Sequence, residues 1–296
     1  MNSSRQPLWM LVAALMFALL GVCVKFAAVH YHAMELVGYR GIVSMAITFA
    51  WARAIGVNLS TQRVGMHAWR GIIGALSLGA WFYALAHLPL ATAMTLNYMS
   101  SIWIAAFLIG GALIYGRAQS QGALFATVLS GFGGVVLVLR PALEANQLWA
   151  GLIGMMSGMT AALAYLQVTV LSRAGEPEVR VVFYFSVASA VFGLCASLFT
   201  GFSSLANWHA LWILPIGLLA SLGQICMTRA YASGATMLVA NLQYSGIVFA
   251  ALLGMIVFGD KLPLIAWIGM AIIIASGIAA TLLRNRTLPN TPPEEH

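Results

Sequence analysis

Charge is what this sequence has least of. Lysine, arginine, aspartate and glutamate make up 7% of its 296 residues, where an ordinary soluble domain carries roughly a quarter. With 61% apolar residues and a mean hydropathy of +0.93 the chain cannot cover a water-soluble globule with polar surface. Acids are the scarcest: Glu35, Glu144, Glu176, Glu178, Asp260, Glu294 and Glu295 are the full set, and none falls at the middle of an apolar run. That argues against a proton or sodium pathway through a buried carboxylate and for facilitated movement of cargo down its own gradient. Cys23, Cys195 and Cys226 are odd in number and sit inside apolar runs, so neither a disulfide framework nor a metal site is expected. His30, His32, His67, His87 and His209 lack metal-ligand spacing, and no His, Asp or Cys constellation suggests catalysis. No cofactor is implied.

Long apolar runs fill the space that charge leaves. A bilayer core takes about 20 residues of helix, and ten windows meet that length: 7–29, 34–55, 69–87, 90–115, 121–139, 148–171, 180–200, 210–230, 235–258 and 262–284. The first lacks a small-residue cleavage pattern and reads as a helix rather than a secretory signal. The net charge of +7 comes from basic residues scattered singly between windows, which excludes a nucleic-acid patch. With the N terminus inside, Arg5, Arg53, Arg63, Arg70, Arg117, Arg173, Arg180, Arg229, Arg284 and Arg286 fall on the cytoplasmic side, and only Arg140 and Lys261 outside. That imbalance predicts both termini in the cytoplasm. Trp9, Trp51, Trp69, Trp149, Trp208, Trp212 and Trp267 near window ends suit the headgroup layer as anchors.

The windows repeat. Shifted by 144 residues, Ser77–Gly110 overlies Ser221–Gly254 without a gap and 11 of the 34 positions are identical; about three are expected by chance in such a composition. Five helices per half force the copies into opposite orientations, which predicts an all-helical membrane protein of ten spans in two inverted five-helix repeats. The expected organisation is a cytoplasmic N terminus (1–6), a first repeat (7–139), an external linker (140–147), a second repeat (148–284) and a disordered cytoplasmic tail (285–296). Asn97 and Asn241 occupy one repeat position, each followed four residues later by a serine, Ser101 and Ser245, on the same helix face.

A mid-membrane Asn can simply bond a neighbouring helix. Its recurrence in both halves, beside Tyr98, Gln243 and Tyr244, instead favours two stripes facing a central space. Ser77 and Trp81, then Ser221, Gln224 and Thr228, then Ser157, Thr160, Tyr165 and Gln167 add polar groups on the third, eighth and sixth helices. The expected substrate-binding set is therefore Ser77, Trp81, Asn97, Tyr98, Ser101, Tyr165, Ser221, Gln224, Asn241, Tyr244 and Ser245. Trp103, on another face, is expected in helix packing. Met94, Met99, Met155, Met156, Met159 and Met227 surround the region and suit either packing or an adaptable pocket. The fifth and tenth helices carry almost nothing polar and are expected to face lipid or another subunit. Lys25, Glu35 and Arg40 lie toward the outer side of the first two helices, as an ion cluster at an external vestibule or gate, or as a Glu35 salt bridge bracing those helices.

The WFYALAHLPLATAMTLNY junction, the EL..YRG opening of the second helix and FGDKLPLIAWIGMAIIIASGI resemble the drug/metabolite transporter superfamily in its EamA-type branch, over residues 7–284. Two features depart from it: Asp260 stands where Glu is frequent, and the fourth and ninth helices lack a central Pro, with Ser100, Ser101, Tyr244 and Ser245 there. The resemblance implies a bacterial inner-membrane carrier with a central cavity. Within it the chain is similar to YddG-type exporters of aromatic and other neutral amino acids. The expected partners are such a small-molecule substrate and membrane lipid, without nucleic acid, and the expected state is a monomer or weak homodimer. The alternatives are a carrier of another flat metabolite or drug (vitamin, nucleoside, cationic drug) and a membrane-embedded enzyme or scaffold.

Overall fold

The computed structural model describes residues 8–100, 102–104, 106, 107, 110, 122–144, 147–232, 239 and 242–287. Among them all regular structure is helical, in ten helices: α1 (Trp9–Ala27), α2 (Ala33–Ala54), α3 (Val64–His87), α4 (Leu90–Tyr98), α5 (Gly122–Glu144), α6 (Leu148–Arg173), α7 (Glu178–Thr200), α8 (Ile213–Ala232), α9 (Ser245–Leu253) and α10 (Leu264–Thr287). A 3-10 turn (Trp208–Trp212) leads into α8, and α9 runs on into a π-helical turn (Gly254–Phe258). Each apolar window of the sequence carries one helix. Boundaries shift at three places: α3 starts ahead of its window at Val64, α5 continues through Pro141 to Glu144, so that helix occupies most of the predicted external linker, and α10 runs on to Thr287, into the predicted tail. The tail from residue 288 lies outside the described residues.

By length and hydropathy α1, α2, α6, α7 and the span Trp208–Ala232 can each cross a bilayer alone. The outer surface is correspondingly apolar, with Phe199, Ile256 and Leu198 among its most exposed side chains. Trp69, Trp149, Trp208 and Trp267 are exposed near helix ends. Trp9 and Trp212 also make internal contacts, Trp212 stacking on Phe26 at 5.0 Å and Trp9 lying under the Arg229 guanidinium.

The packing repeats along with the sequence. α3 packs on α6 as α8 packs on α1; α3 packs on α7 as α8 on α2; α4 packs on α6 as α9 on α1. Three pairs, α2 with α7, α4 with α9 and α5 with α10, are their own images under this exchange and therefore lie on the symmetry axis. Each is antiparallel. Gly38 lies against Gly193 and Gly41 against Ala190; Leu90 lies against Gly254 and Tyr98 against Gly246; Ser130 bonds Ser276 and Gly134 lies against Gly269. A two-fold that makes helices antiparallel runs across them, in the plane of the membrane, so the halves are inverted copies. At the α2–α7 crossing only glycine permits the approach: a Cβ on Gly41 would strike the Ala190 and Ser186 backbone.

The α5–α10 pair accounts for the polar-poor windows. These two helices pack chiefly on each other, Ser130 and Ser276 satisfy one another, and the outward side is apolar at Leu129, Val136, Leu264 and Ile268.

Candidate functional site

Between the halves lies a cavity of about 460 Å³, open mouth included, lined by Phe17 of α1, Arg70, Gly74, Ser77, Leu78 and Trp81 of α3, Asn97 and Tyr98 of α4, Ala161, Ala164 and Tyr165 of α6, Phe185 of α7 and Gln224 of α8. On α6 and α7 these residues lie in the half nearest the α6–α7 connection, and on α3 they run across its middle from Arg70 to Trp81. Beyond Trp81 α3 is closed, with Phe82, Ala84 and Leu85 fully buried. The cavity is thus offset toward the α2–α3 end of the bundle.

Local hydrogen bonding places the polar wall. Asn97 Nδ2 donates to Ser157 Oγ at 3.1 Å, Ser157 Oγ to Gly154 O at 2.6 Å, and Ser77 Oγ to Ser157 O at 2.9 Å, which ties α3, α4 and α6 together. Asn97 stands next to an interruption in its helix. α4 stops at a turn at Met99, beyond which helix resumes with the Ile102 amide bonding back only three residues at 2.9 Å, and a turn at Tyr244 separates α9 from the helical residues 242–243, the Ile247 amide bonding back three residues at 3.0 Å. Helices interrupted within an apolar window in both halves are the usual frame of a carrier site. Here they break without proline.

The dominant group of the wall is one that the sequence reading assigned to the cytoplasmic flank. Arg70 is 3% exposed; its Nη2 donates to Gln224 Oε1 at 3.5 Å and its guanidinium carbon lies 4.1 Å from the Phe185 ring centroid. Arg40, 1% exposed, lies 4.9 Å from the same ring and donates to Ser189 Oγ at 3.3 Å. Two buried cations share one aromatic ring. A desolvated cation–π contact contributes about 2 kcal/mol, less than the several kcal/mol that burying an ion costs. Four buried donors of the wall have no protein partner: Arg70 Nε and Nη1, Trp81 Nε1 and Tyr98 OH.

Of the residues expected to bind substrate, Ser77, Trp81, Asn97, Tyr98, Tyr165 and Gln224 line this cavity. Ser101 and Asn241 lie outside the described residues. Ser221, Tyr244 and Ser245 are not in the wall. The Ser221 hydroxyl donates to Gly217 O one turn back and that of Ser245 to Leu242 O, as helical serines readily do. The Tyr244 ring lies on Gly277 of α10. No methionine lines the wall; Met94, Met99 and Met227 are core residues and Met156 is exposed. Trp103 packs edge-on against Phe132 at 4.9 Å, away from the cavity. Arg70, Phe17 and Phe185 were missed. The available signal was Arg70 itself, a charge just inside an apolar window on the face of Ser77 and Trp81.

The expected cluster of Lys25, Glu35 and Arg40 does not form. Lys25 Nζ donates to Leu88 O at 3.0 Å and lies 3.8 Å from Asp260, whose Oδ2 accepts from the Leu90 amide, so this pair pins the α3–α4 turn to the α9–α10 turn. Glu35 braces no salt bridge to α1. It accepts from Tyr39 OH and, at 2.7 and 2.9 Å, from the amide and hydroxyl of Ser203 in the α7–α8 connection. Glu176, at the opposite end, accepts from Thr61 of the α2–α3 connection at 2.8 Å, from Arg180 at 2.9 Å, and bonds His67 at 3.2 Å. Burial pushes the Glu176 carboxyl up, but these donors outweigh it and hold it below the ordinary range. Each half thus holds the long connection of the other by one carboxylate.

Comparison with known proteins agrees with this architecture. Residues 148–282 match the model of the EamA-like transporter family. A pseudopaline exporter of Pseudomonas aeruginosa is 32% identical over 270 residues, 90% of this chain and 93% of the relative. A riboflavin transporter of Vibrio cholerae is 27% identical over 284 residues, 91% and 90% of the two chains. A crystal structure shares the fold with a TM-score of 0.65 at 19% identity, covering 96% of this chain and 99% of the other.

Proposed function

Because the chain belongs to the EamA-like transporter family of multi-pass membrane proteins, we propose that it exports small amino-acid-like metabolites, neutral and aromatic amino acids among them, by rocking its two halves about the central cavity. One observation carries the reading: inverted halves meet around a polar and aromatic cavity that is offset to one end. Trp81, Tyr98 and Tyr165 offer faces for a flat side chain, and the Asn97 and Gln224 amides offer polar contacts to a zwitterion. The imbalance of basic residues puts both termini in the cytoplasm of a bacterial inner membrane. The cavity then opens inward, the loading side of an exporter.

A second reading is favoured by the relatives' names. A pseudopaline exporter and a riboflavin transporter align over 90% and 91% of the chain, and the aromatic wall suits a flat cargo. Counterflow in proteoliposomes against labelled neutral amino acids, riboflavin and pseudopaline tests both. Flux of aromatic amino acids that falls at least tenfold in Asn97→Ala supports the first reading. Flux of riboflavin or pseudopaline alone replaces it with the second, and no flux of any cargo overturns both.

A further inference from the structure

The carrier reading leaves one feature of the cavity without a use: its positive charge. We infer that the cavity selects its cargo through a free carboxylate seated on Arg70, with Phe185 and Arg40 behind it as electrostatic backing. This rests on the carrier reading and names the cargo's obligatory group.

A buried guanidinium demands an anion, and among the described residues none pairs with either arginine. The acids whose side chains are described are engaged elsewhere: Glu35 on Ser203 and Tyr39, Glu176 on Thr61, His67 and Arg180, Glu178 near Arg229, and Asp260 on Leu90 and Lys25. Arg70 keeps a single long hydrogen bond, to Gln224, and leaves Nε and Nη1 unused. Every unpartnered buried polar atom of the wall is able to donate: the guanidinium nitrogens, the Trp81 indole N–H and the Tyr98 hydroxyl. Such a wall is complementary to acceptor oxygens carrying negative charge, and a carboxylate supplies both.

The surroundings favour a ligand site over a structural brace. Gly74, one turn along α3, leaves room for the guanidinium, since a Cβ there would fall on Arg70 Nη1 and, at 2.7 Å, on the Phe185 ring. The repeat does not require the charge. Leu214 holds the position of Arg70 in the second half and is exposed on the outer surface. Arg40 does not line the cavity; it adds charge without contact, which disfavours cargo with a basic side chain.

The test compares phenylalanine, phenylalaninamide and N-acetylphenylalanine in proteoliposome flux and in thermal stabilisation of the purified protein. The wild type is expected to favour the two carboxylates over the amide at least tenfold. Arg70→Lys keeps part of that preference, Arg70→Gln abolishes it, and Arg40→Gln weakens it less. If Arg70→Gln does not fold, Gly74→Ala, which displaces the guanidinium, takes its place. Equal handling of amide and carboxylates by the wild type, or an unchanged preference in Arg70→Gln, overturns the inference and leaves the carrier reading standing. If no compound of the panel moves, the proposed cargo fails, and the inference is then judged on binding. Stabilisation by N-acetylphenylalanine in the wild type and not in Arg70→Gln upholds it; equal or absent stabilisation overturns it.

Discussion

At the scale of single residues, the cavity wall divides by what each side chain finds beside it. Ser77, Trp81, Asn97, Tyr98, Tyr165 and Gln224 were legible because a polar or aromatic group inside an apolar run, on the face of another such group, needs a shared destination. Ser221 and Ser245 satisfied the same test and stand outside the wall, since a serine hydroxyl can return to its own helix backbone and leave no polar demand on its face. Arg70 went the opposite way. A basic residue near the inner end of a span reads as a flanking charge, and only the cover supplied by α7 and α8 turns it into a buried one. Its position depends on Gly74. The added methyl of Gly74→Ala must push Arg70 or Phe185 aside, an overpacking that costs about 1–3 kcal/mol. The expected outcome is a folded protein with a modestly lowered melting temperature whose flux of carboxylate cargo falls tenfold or more. Wild-type flux in that variant would show that the position of the guanidinium is immaterial.

At the scale of elements, hydropathy found every helix and missed how two of them are interrupted. α4 and α9 break at Met99 and Tyr244, where no proline announces it. α5, conversely, runs through Pro141 to Glu144, past the end of its apolar window at 139. Connections were the least legible part, because the acids that hold them lie near helix ends and look solvated in sequence. The Glu176 clasp joins α6–α7 to the α2–α3 connection and has a defined pH response. Its carboxyl is held below the ordinary range, so its contribution is complete above the unfolded value of about 4.3 and is lost as pH falls through the lower folded value. Glu176→Gln should cost about 1–3 kcal/mol at neutral pH. Thermal unfolding of the two proteins from pH 7 to pH 3 should show melting curves that converge at the acid end. A gap that does not narrow as the pH falls would assign the loss to something other than the ionised carboxylate.

At the scale of the whole molecule, the antiparallel self-paired helices turn a static symmetry into a statement about motion. Exchanging the halves carries the cavity's open end onto its closed end, so the same contacts that now seal the α1–α2 end must part for cargo to leave there. Part of the seal between the halves at that end is the packing of α4 on α9, where Leu90 lies beside Gly254. A Cβ placed on Gly254 would stand 3.5 Å from the Leu90 Cβ, within the range a disulfide needs, and 2.9 Å from Asp260 Oδ2, whose side chain must turn aside. Leu90→Cys with Gly254→Cys, in a chain whose Cys23, Cys195 and Cys226 are replaced by Ala, should therefore cross-link on oxidation. The cross-link holds α4 on α9 and leaves the cavity reachable from the α2–α3 end. Cargo binding should survive while flux drops to background, and reductant should restore flux. Each single-cysteine variant should be indifferent to oxidant. If the oxidised double variant transports like the reduced one, these two helix ends do not separate, and the halves do not rock apart along α4 and α9.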